Sequence, residues 1–353
     1  MKIGVMTFHW ATNYGAVLQS YALVKHLNNL GYDAEDINYI PRRIMLRLRF
    51  FDLYLRRFNN IKRASKFKSF RKSFLRVSKK TYKNNKALHK ITNEYDAVIT
   101  GSDQIWNESF LTTAEKTPTR SYFLDFVPEN VIRMSYAASF GTNILTEAHK
   151  ALALDELEQF DAISVREQNA VDMLKEQGIN AVTVCDPTLL IDVGEYECIA
   201  QKAKDKSKVE LFNFMLRMGR ESTDKTLDYV LNDALKDKTN LGQGIVPVED
   251  WVWKIKNSDF VVTDSFHCMV FALLYHKPFI AVNDKNCSMN ARINTLAQRL
   301  GVANRVIDSF DKEKINQLIE NKDIDWDFVE KAKAEWVRES TEFIRSSLDI
   351  KNN

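Results

Sequence analysis

The sequence predicts an α/β protein of two domains, and three observations carry that expectation. Strand-like apolar runs alternate with amphipathic helical stretches along the chain, the order that builds parallel sheets. The length, 353 residues, exceeds the ~100–200 residues of one domain. The stretch from Asp259 to Val282, DFVVTDSFHCMVFALLYHKPFIAV, condenses the pattern: a strand Phe260–Thr263, a turn at Asp264-Ser265, an apolar helix to about Tyr275, and a second strand Phe279–Val282. Asp264 and Ser265 can cap that helix. They stand at the C-terminal end of a parallel strand, where open α/β sheets bind ligands. His267, next to Phe266, falls in the first helical turn, where free N–H groups and the positive end of the helix dipole favour an anion. A hydrogen-bonded core histidine fits the same pattern.

Composition narrows the class. Lys+Arg 50 against Asp+Glu 47 leaves a net charge of +3, too small to name a partner. Cys185, Cys198, Cys268 and Cys287 show no CxxC spacing, so reduced thiols are expected rather than disulfides or a zinc site. The first residues, MKIGVMTFHW, begin a strand, and no run approaches the ~20 apolar residues that span a bilayer. A cytoplasmic protein, at most peripheral at the inner face of the membrane, is expected.

In chain order, Ile3–Thr7 reads as the first strand. The helix that follows opens at Asn13-Tyr14-Gly15-Ala16, carries apolar Val17, Leu18, Tyr21, Ala22, Val24 and Leu27, and ends at Gly31. A strand from Ala34 to Ile37 completes a β-α-β unit. Asn13 suits the N-cap, and Gly15 lets a ligand approach the backbone. One glycine in place of GxGxxG argues against a dinucleotide. From Pro41 to Lys90 the composition changes: 18 Lys and Arg stand against one acid, Asp52, so this segment carries +17 and the remainder −14. Phe58, Phe67, Phe70 and Phe74 interleave with the charges, as in two or three amphipathic helices inserted at about 41–90. Such a face suits anionic lipid headgroups, a lipid-pyrophosphate carrier or an acidic glycan; a solvated face docked on the acidic remainder fits equally. No nucleic-acid-binding module accompanies the charge, so nucleic acid is not an expected partner.

Tyr95–Thr100 is the next strand, ending in Gly101-Ser102-Asp103-Gln104-Ile105-Trp106-Asn107, where Asp103 can serve as a base or cap the turn. Arg133–Ser139 is a strand and Leu145–Phe160 a helix. Ala162–Val165 leads into Arg166-Glu167 and a helix ending at Gly178. Arg166 suits bidentate binding of a carboxylate or phosphate, or a pair with its neighbours. Val182–Val184 and Asp186-Pro187-Thr188-Leu189-Leu190 close a first domain of residues 1–200, and the polar Gln201–Lys208 reads as the linker. The second domain, 201–325, holds a strand Val209–Leu216, a helix Thr223–Leu235, the Asp259–Val282 stretch, a helix from Asn290-Ala291-Arg292 to Leu300, and Ile307. A last helix within 326–353 is long enough to return to the first domain.

Four segments together resemble the polysaccharide pyruvyl transferase family: Asn13-Tyr14-Gly15-Ala16-Val17-Leu18-Gln19; Gly101 to Asn107; Ser164-Val165-Arg166-Glu167 with Asp186 to Leu190; and Thr263-Asp264-Ser265-Phe266-His267 with Lys277-Pro278-Phe279. The resemblance runs from the first strand to about Arg305. It implies a GT-B-like α/β fold, two Rossmann-like domains facing a cleft, with the basic helical insertion in the first and the C-terminal helix crossing back. It implies phosphoenolpyruvate as donor substrate, no metal or redox cofactor, and a glycan or lipid-linked oligosaccharide acceptor on which a pyruvate ketal forms. His267 then corresponds to the donor-site histidine and general acid, Arg166 to a donor-contacting arginine, and Asp103 to the acidic residue of the cleft. Relatives often carry an arginine two residues before the histidine; here that position is Ser265, and Arg292 is the candidate for the missing charge. The expected substrate-binding set is Arg166, Arg292, Ser265, Phe266, Asn13 and Gly15. A nucleotide-sugar glycosyltransferase, or a non-catalytic scaffold of a glycan assembly complex, would use the same architecture.

Overall fold

The computed structural model describes residues 1–41, 56–91, 94–111, 120–142, 145–207, 209–216, 221–238, 240–241, 244–283 and 291–350. The chain forms two units, residues 1–191 with 336–353, and residues 192–335.

In the first unit, β1 (Lys2–Met6), β2 (Asp33–Asp36), β3 (Ala97–Thr100) and β4 (Ile132–Ser135) pair in parallel in the order β2-β1-β3-β4. All of β3 is buried, as its unbroken apolar run requires of a strand covered on both faces. Bridges from Met134 to Ala162 and from Ala138 to Val165 continue the sheet from β4 to β5 (Ser164–Val165), which pairs with β6 (Val182–Thr183). The chain leaves β1 toward β2 on one side and returns to β3 on the other. The ends of β1 and β3 therefore flank the switch point at which such sheets bind ligands.

Helix Tyr14–Asn29 packs on this sheet, and the described part of the basic insertion meets that helix through aromatic contacts. Within the insertion, helices Arg56–Phe74 and Asn85–Leu88 are present, whereas 42–55 lie outside the described residues. Phe67 and Phe70 are buried. The Phe67 ring lies 5.1 Å from Tyr14 and the Phe70 ring 6.2 Å from Tyr21. Beyond the helix, Val77 and Tyr82 bridge to Asp36 and Tyr39, extending the sheet past β2. Over residues 64–74 of this helix the amphipathic reading holds: Phe67 and Phe70 dock inward, while Lys68 and Lys72 are exposed.

Asp36, buried at the end of β2, accepts a 2.7 Å hydrogen bond from Ser20 Oγ. Burial pushes its carboxyl up to about 8. The folded state keeps a proton that the unfolded chain releases near pH 3.8, so stability from this group falls as pH rises from there to about 8 and is level above. Asp36→Asn carries no such penalty. Its stability relative to wild type is expected to climb by up to about 1.4 kcal/mol per pH unit across that window; urea midpoints at several pH values check this, and a pH-independent difference would show that Asp36 is ionised in the fold.

The last helix, Trp326–Asp349, joins the first unit from Trp336 onward. Ser340 Oγ accepts a 2.9 Å hydrogen bond from the Cys185 amide, and Thr341 Oγ1 lies 3.2 Å from His26 Nε2. Burial pulls the His26 imidazole down to about 4, so the helix docks on a neutral ring near pH 7.

In the second unit, β7 (Leu211–Phe214), β8 (Asn240–Leu241), β9 (Phe260–Thr263), β10 (Phe279–Val282) and β11 (Val306–Ile307) form a parallel sheet in the order β11-β10-β9-β7-β8. Its switch point lies between β7 and β9. The helix following β9, Phe266–Leu274, is buried throughout. Phe271 packs 4.8 Å from the Tyr196 ring and 5.3 Å from the Trp251 ring. Three features differ from the sequence reading. The helix expected to reach Leu235 is α-helical only over Glu221–Tyr229 and continues as π-helix through Val230–Ala234. Helices Val248–Lys256 and Lys312–Glu320 were not anticipated. Gln201–Lys208, read as a linker, falls inside the second unit, where the Lys204 amide donates to Asp250 Oδ1 at 2.7 Å. Cys185, Cys198 and Cys268 are free thiols, and Cys287 lies outside the described residues. No described helix is long and apolar enough to cross a membrane.

Candidate functional site

At the first unit's switch point, two side chains lock the strand ends together. Gln19 Nε2 donates to Thr7 Oγ1 at 2.6 Å, and Thr7 Oγ1 donates to the Ser102 carbonyl at 3.5 Å. Gly101 fits because a Cβ there would press on Val5, Leu23 and Thr7 at 3.2–3.3 Å. Asn13 Oδ1 caps the helix by accepting from the Ala16 amide at 3.2 Å, and Gly15 is buried in the same first turn.

Asp103 departs from ordinary backbone. Its φ of 74° is left-handed, a conformation costing ~1 kcal/mol or more for a residue with a Cβ and found often at functional sites. Its carbonyl accepts from the Ile105 amide at 2.7 Å, and it bridges to Ala138. The carboxylate keeps 16% of its surface exposed and lies 3.9 Å from Arg166 Nη2. Arg166 itself is 1% exposed. Its Nη1 donates to Asp186 Oδ2 at 2.8 Å, and Ser102 Oγ donates to the same oxygen at 3.0 Å. Asp186 Oδ1 accepts from Thr188 N at 3.0 Å and from Thr188 Oγ1 at 2.6 Å, capping the short helix Pro187–Leu190. Burial opposes the charge on Arg166, but Asp186, Glu167 and Asp103 together hold its pKa above the ordinary value. Of the two readings open for Arg166, pairing with neighbouring carboxylates is what the structure displays.

Two further residues belong to this mouth. His9, three residues past the end of β1, is buried with Nδ1 3.3 Å from the Thr7 carbonyl, and burial lowers its pKa to about 4. Arg71, from the insertion helix, donates to the carbonyls of Trp10 and Ala11 at 3.1 and 3.2 Å and so holds the loop after β1. The position of His9 at a strand end was a signal in the sequence; Arg71, 60 residues from its acceptors, offered none.

The second unit gathers Ser265, Phe266, His267 and Arg292. Asp264 Oδ1 accepts from the Leu216 amide at 2.6 Å and Thr263 Oγ1 donates to the Phe214 carbonyl at 2.5 Å, tying β9 to β7 across the switch point. Ser265 Oγ caps the helix, accepting from Cys268 N at 3.4 Å. His267, 7% exposed, meets the Phe266 ring edge-on at 5.1 Å and 88°. The Arg292 guanidinium lies 5.8 Å from the centre of that ring, within cation–π range. A cation, an imidazole and a helix N-terminus at a switch point suit a small anion. The structure thus brings Asp103 and Arg166 together in one unit, with Asn13 and Gly15 at the adjacent strand end, and the other four residues together in the second. Among the described residues, no group of three or more His, Cys, Asp or Glu is placed to hold a metal ion.

A family profile described as polysaccharide pyruvyl transferase matches residues 13–286. No curated protein matches the sequence. Among solved structures, UDP-N-acetylglucosamine 2-epimerase from Rickettsia bellii is similar with a TM-score of 0.54 at 10% identity, covering 100% of this chain and 98% of that one. The UDP-GlcNAc 2-epimerase from Neisseria meningitidis bound to UDP-GlcNAc follows with 0.53 at 11%, covering 98% and 100%. An alpha-glucosyltransferase in complex with UDP and a 13-mer DNA gives 0.51 at 11%, covering 100% of both chains. At such identities the likeness is one of fold: an α/β, GT-B-like chain with two Rossmann-like units.

Proposed function

The chain belongs to the polysaccharide pyruvyl transferase family, and from that premise we propose that it moves the pyruvyl group of phosphoenolpyruvate onto two hydroxyls of a sugar in a lipid-linked, cell-surface polysaccharide precursor. The observation that carries this reading is the Arg292, Phe266 and His267 cluster in the second unit. It offers a guanidinium for a carboxylate or phosphate and a ring able to deliver a proton.

The chemistry balances without an external oxidant or reductant. His267 protonates the donor methylene, the neighbouring carbon takes the first sugar hydroxyl, the C–O bond to phosphate breaks, and the second hydroxyl closes the ketal. Of the two protons released by the hydroxyls, one replaces that given to the methyl group and the other leaves on phosphate. Within the first unit Asp103, held by Arg166, is assigned as the base for the acceptor hydroxyl, and within the second Arg292 is assigned as the cation for the donor phosphate. Ser265 keeps the helix start formed around the donor, while Asn13 and Gly15 shape the acceptor side of β1.

The assay is phosphate release from phosphoenolpyruvate in the presence of lipid-linked oligosaccharide from the host. Acceptor-dependent release is expected. The fold neighbours named for UDP and UDP-GlcNAc favour one second reading, a nucleotide-sugar glycosyltransferase. A ligand at about a hundred times its Kd stabilises the fold by ~2.7 kcal/mol, enough to move the melting temperature by several degrees. Stabilisation by UDP-sugars but not phosphoenolpyruvate, with no phosphate release, would replace the first reading by the second.

A further inference from the structure

The proposed reaction leaves the outer face of the basic insertion unused. From Ala64 to Lys90 the chain holds ten Lys and Arg and no Asp or Glu; Lys66 is half-buried, and the structure sorts the other nine into two sets. Arg71 is spent on the Trp10 and Ala11 carbonyls, Arg76 pairs with Asp33, and Lys80 sits 3.9 Å from Glu94 and 5.0 Å over the Tyr82 ring. Lys68, Lys72, Lys79, Lys83, Lys86 and Lys90 are exposed and make no ion pair among the described residues. The large apolar side chains point the other way: Phe67, Phe70, Tyr82 and Leu88 are all buried. No Phe, Tyr or Trp is exposed along this stretch, so bases of single-stranded nucleic acid find no stacking platform.

What remains among the described residues of this stretch is a set of exposed lysines with no large apolar side chain exposed beside them, in a chain whose residues outside 64–90 carry a net charge of −7. We propose that this stretch docks the protein electrostatically on an anionic lipid surface, through these six lysines. The proposal rests on the reading above, since a lipid-linked acceptor is presented at such a surface. Charge complementarity favours it: each lysine near an anionic leaflet raises partitioning about fivefold, and six act together.

The test uses the full chain and phosphatidylcholine vesicles, with or without one third phosphatidylglycerol, separated by sedimentation. Binding only to the anionic vesicles is expected, with loss at about 1 M salt, where the screening length is ~3 Å. Lys68→Ala/Lys72→Ala is expected to weaken binding about 25-fold, and Lys68→Arg/Lys72→Arg to retain it. Phosphate release with a short water-soluble acceptor should be unchanged in both variants. Equal binding to neutral vesicles, indifference to the alanine pair, or preference for a soluble acidic polysaccharide over vesicles would overturn the docking. Absent vesicle binding beside intact phosphate release would end this proposal and leave the transferase standing. Anionic-vesicle binding without phosphate release from any acceptor would support the docking and count against the transferase.

Discussion

His267→Ala is expected to lower acceptor-dependent phosphate release by about 10²–10⁴-fold, the largest effect of any single substitution in the second unit. The ring lies in the first turn of a fully buried helix, beside Phe266 and the Arg292 guanidinium. Truncation therefore removes a proton donor and also leaves space against an aromatic face. His267→Gln separates the two effects. Glutamine keeps most of the volume and a hydrogen-bonding group but has no proton to deliver, so its turnover should fall as far as that of the alanine variant while its melting temperature stays near wild type. Stabilisation by phosphoenolpyruvate should persist in both variants, because Arg292 and the helix N-terminus remain. Turnover close to wild type in either one would remove this ring from the chemistry.

Arg166→Met is expected to cost about 3–5 kcal/mol of stability, the range for removing one partner of a buried ion pair. Asp186 would then remain buried with hydrogen bonds from Ser102 and Thr188 but without its guanidinium partner. The second substitution, Asp186→Leu on top of Arg166→Met, should recover part of that loss, since an apolar pair carries no stranded charge. Denaturant midpoints of the single and double variants decide the matter, and a single variant as stable as wild type would mean that the pair contributes nothing. Activity should not recover with stability. Asp103, held at a left-handed φ with its carboxylate 3.9 Å from Arg166, loses its positioning partner in both variants.

Much of the architecture was legible because it depends on short-range periodicity. Strand β9, the helix after it and strand β10 fall at Phe260–Thr263, Phe266–Leu274 and Phe279–Val282, within a residue of the expectation. Ser265 and Asn13 cap their helices through hydrogen bonds spanning three residues, a distance over which side-chain chemistry speaks directly. Helix Val248–Lys256 carries its signal in Val248, Trp251, Val252 and Ile255, all buried on one face. The strand before it, β8, is only two residues long, Asn240–Leu241, too short for a period-2 pattern to frame the helix in the sequence. The π-helical turn at Val230–Ala234 has no such local cause, and nothing in the structure explains it.

Sequence alone determined the local vocabulary of this protein: which runs become parallel strands, which residues cap the helices beside them, and which family its ordered motifs resemble. Only the tertiary structure decided which charges meet. Arg166 reaches Asp186 across 20 residues, Ser102 reaches it across 84, and Arg71 reaches the loop after β1 across 60. Electrostatic and hydrogen-bond partners are chosen by distance in space and by exclusion of water. Those two quantities exist only once the sheet is assembled, whereas helical and strand periodicity is already present in the order of the side chains.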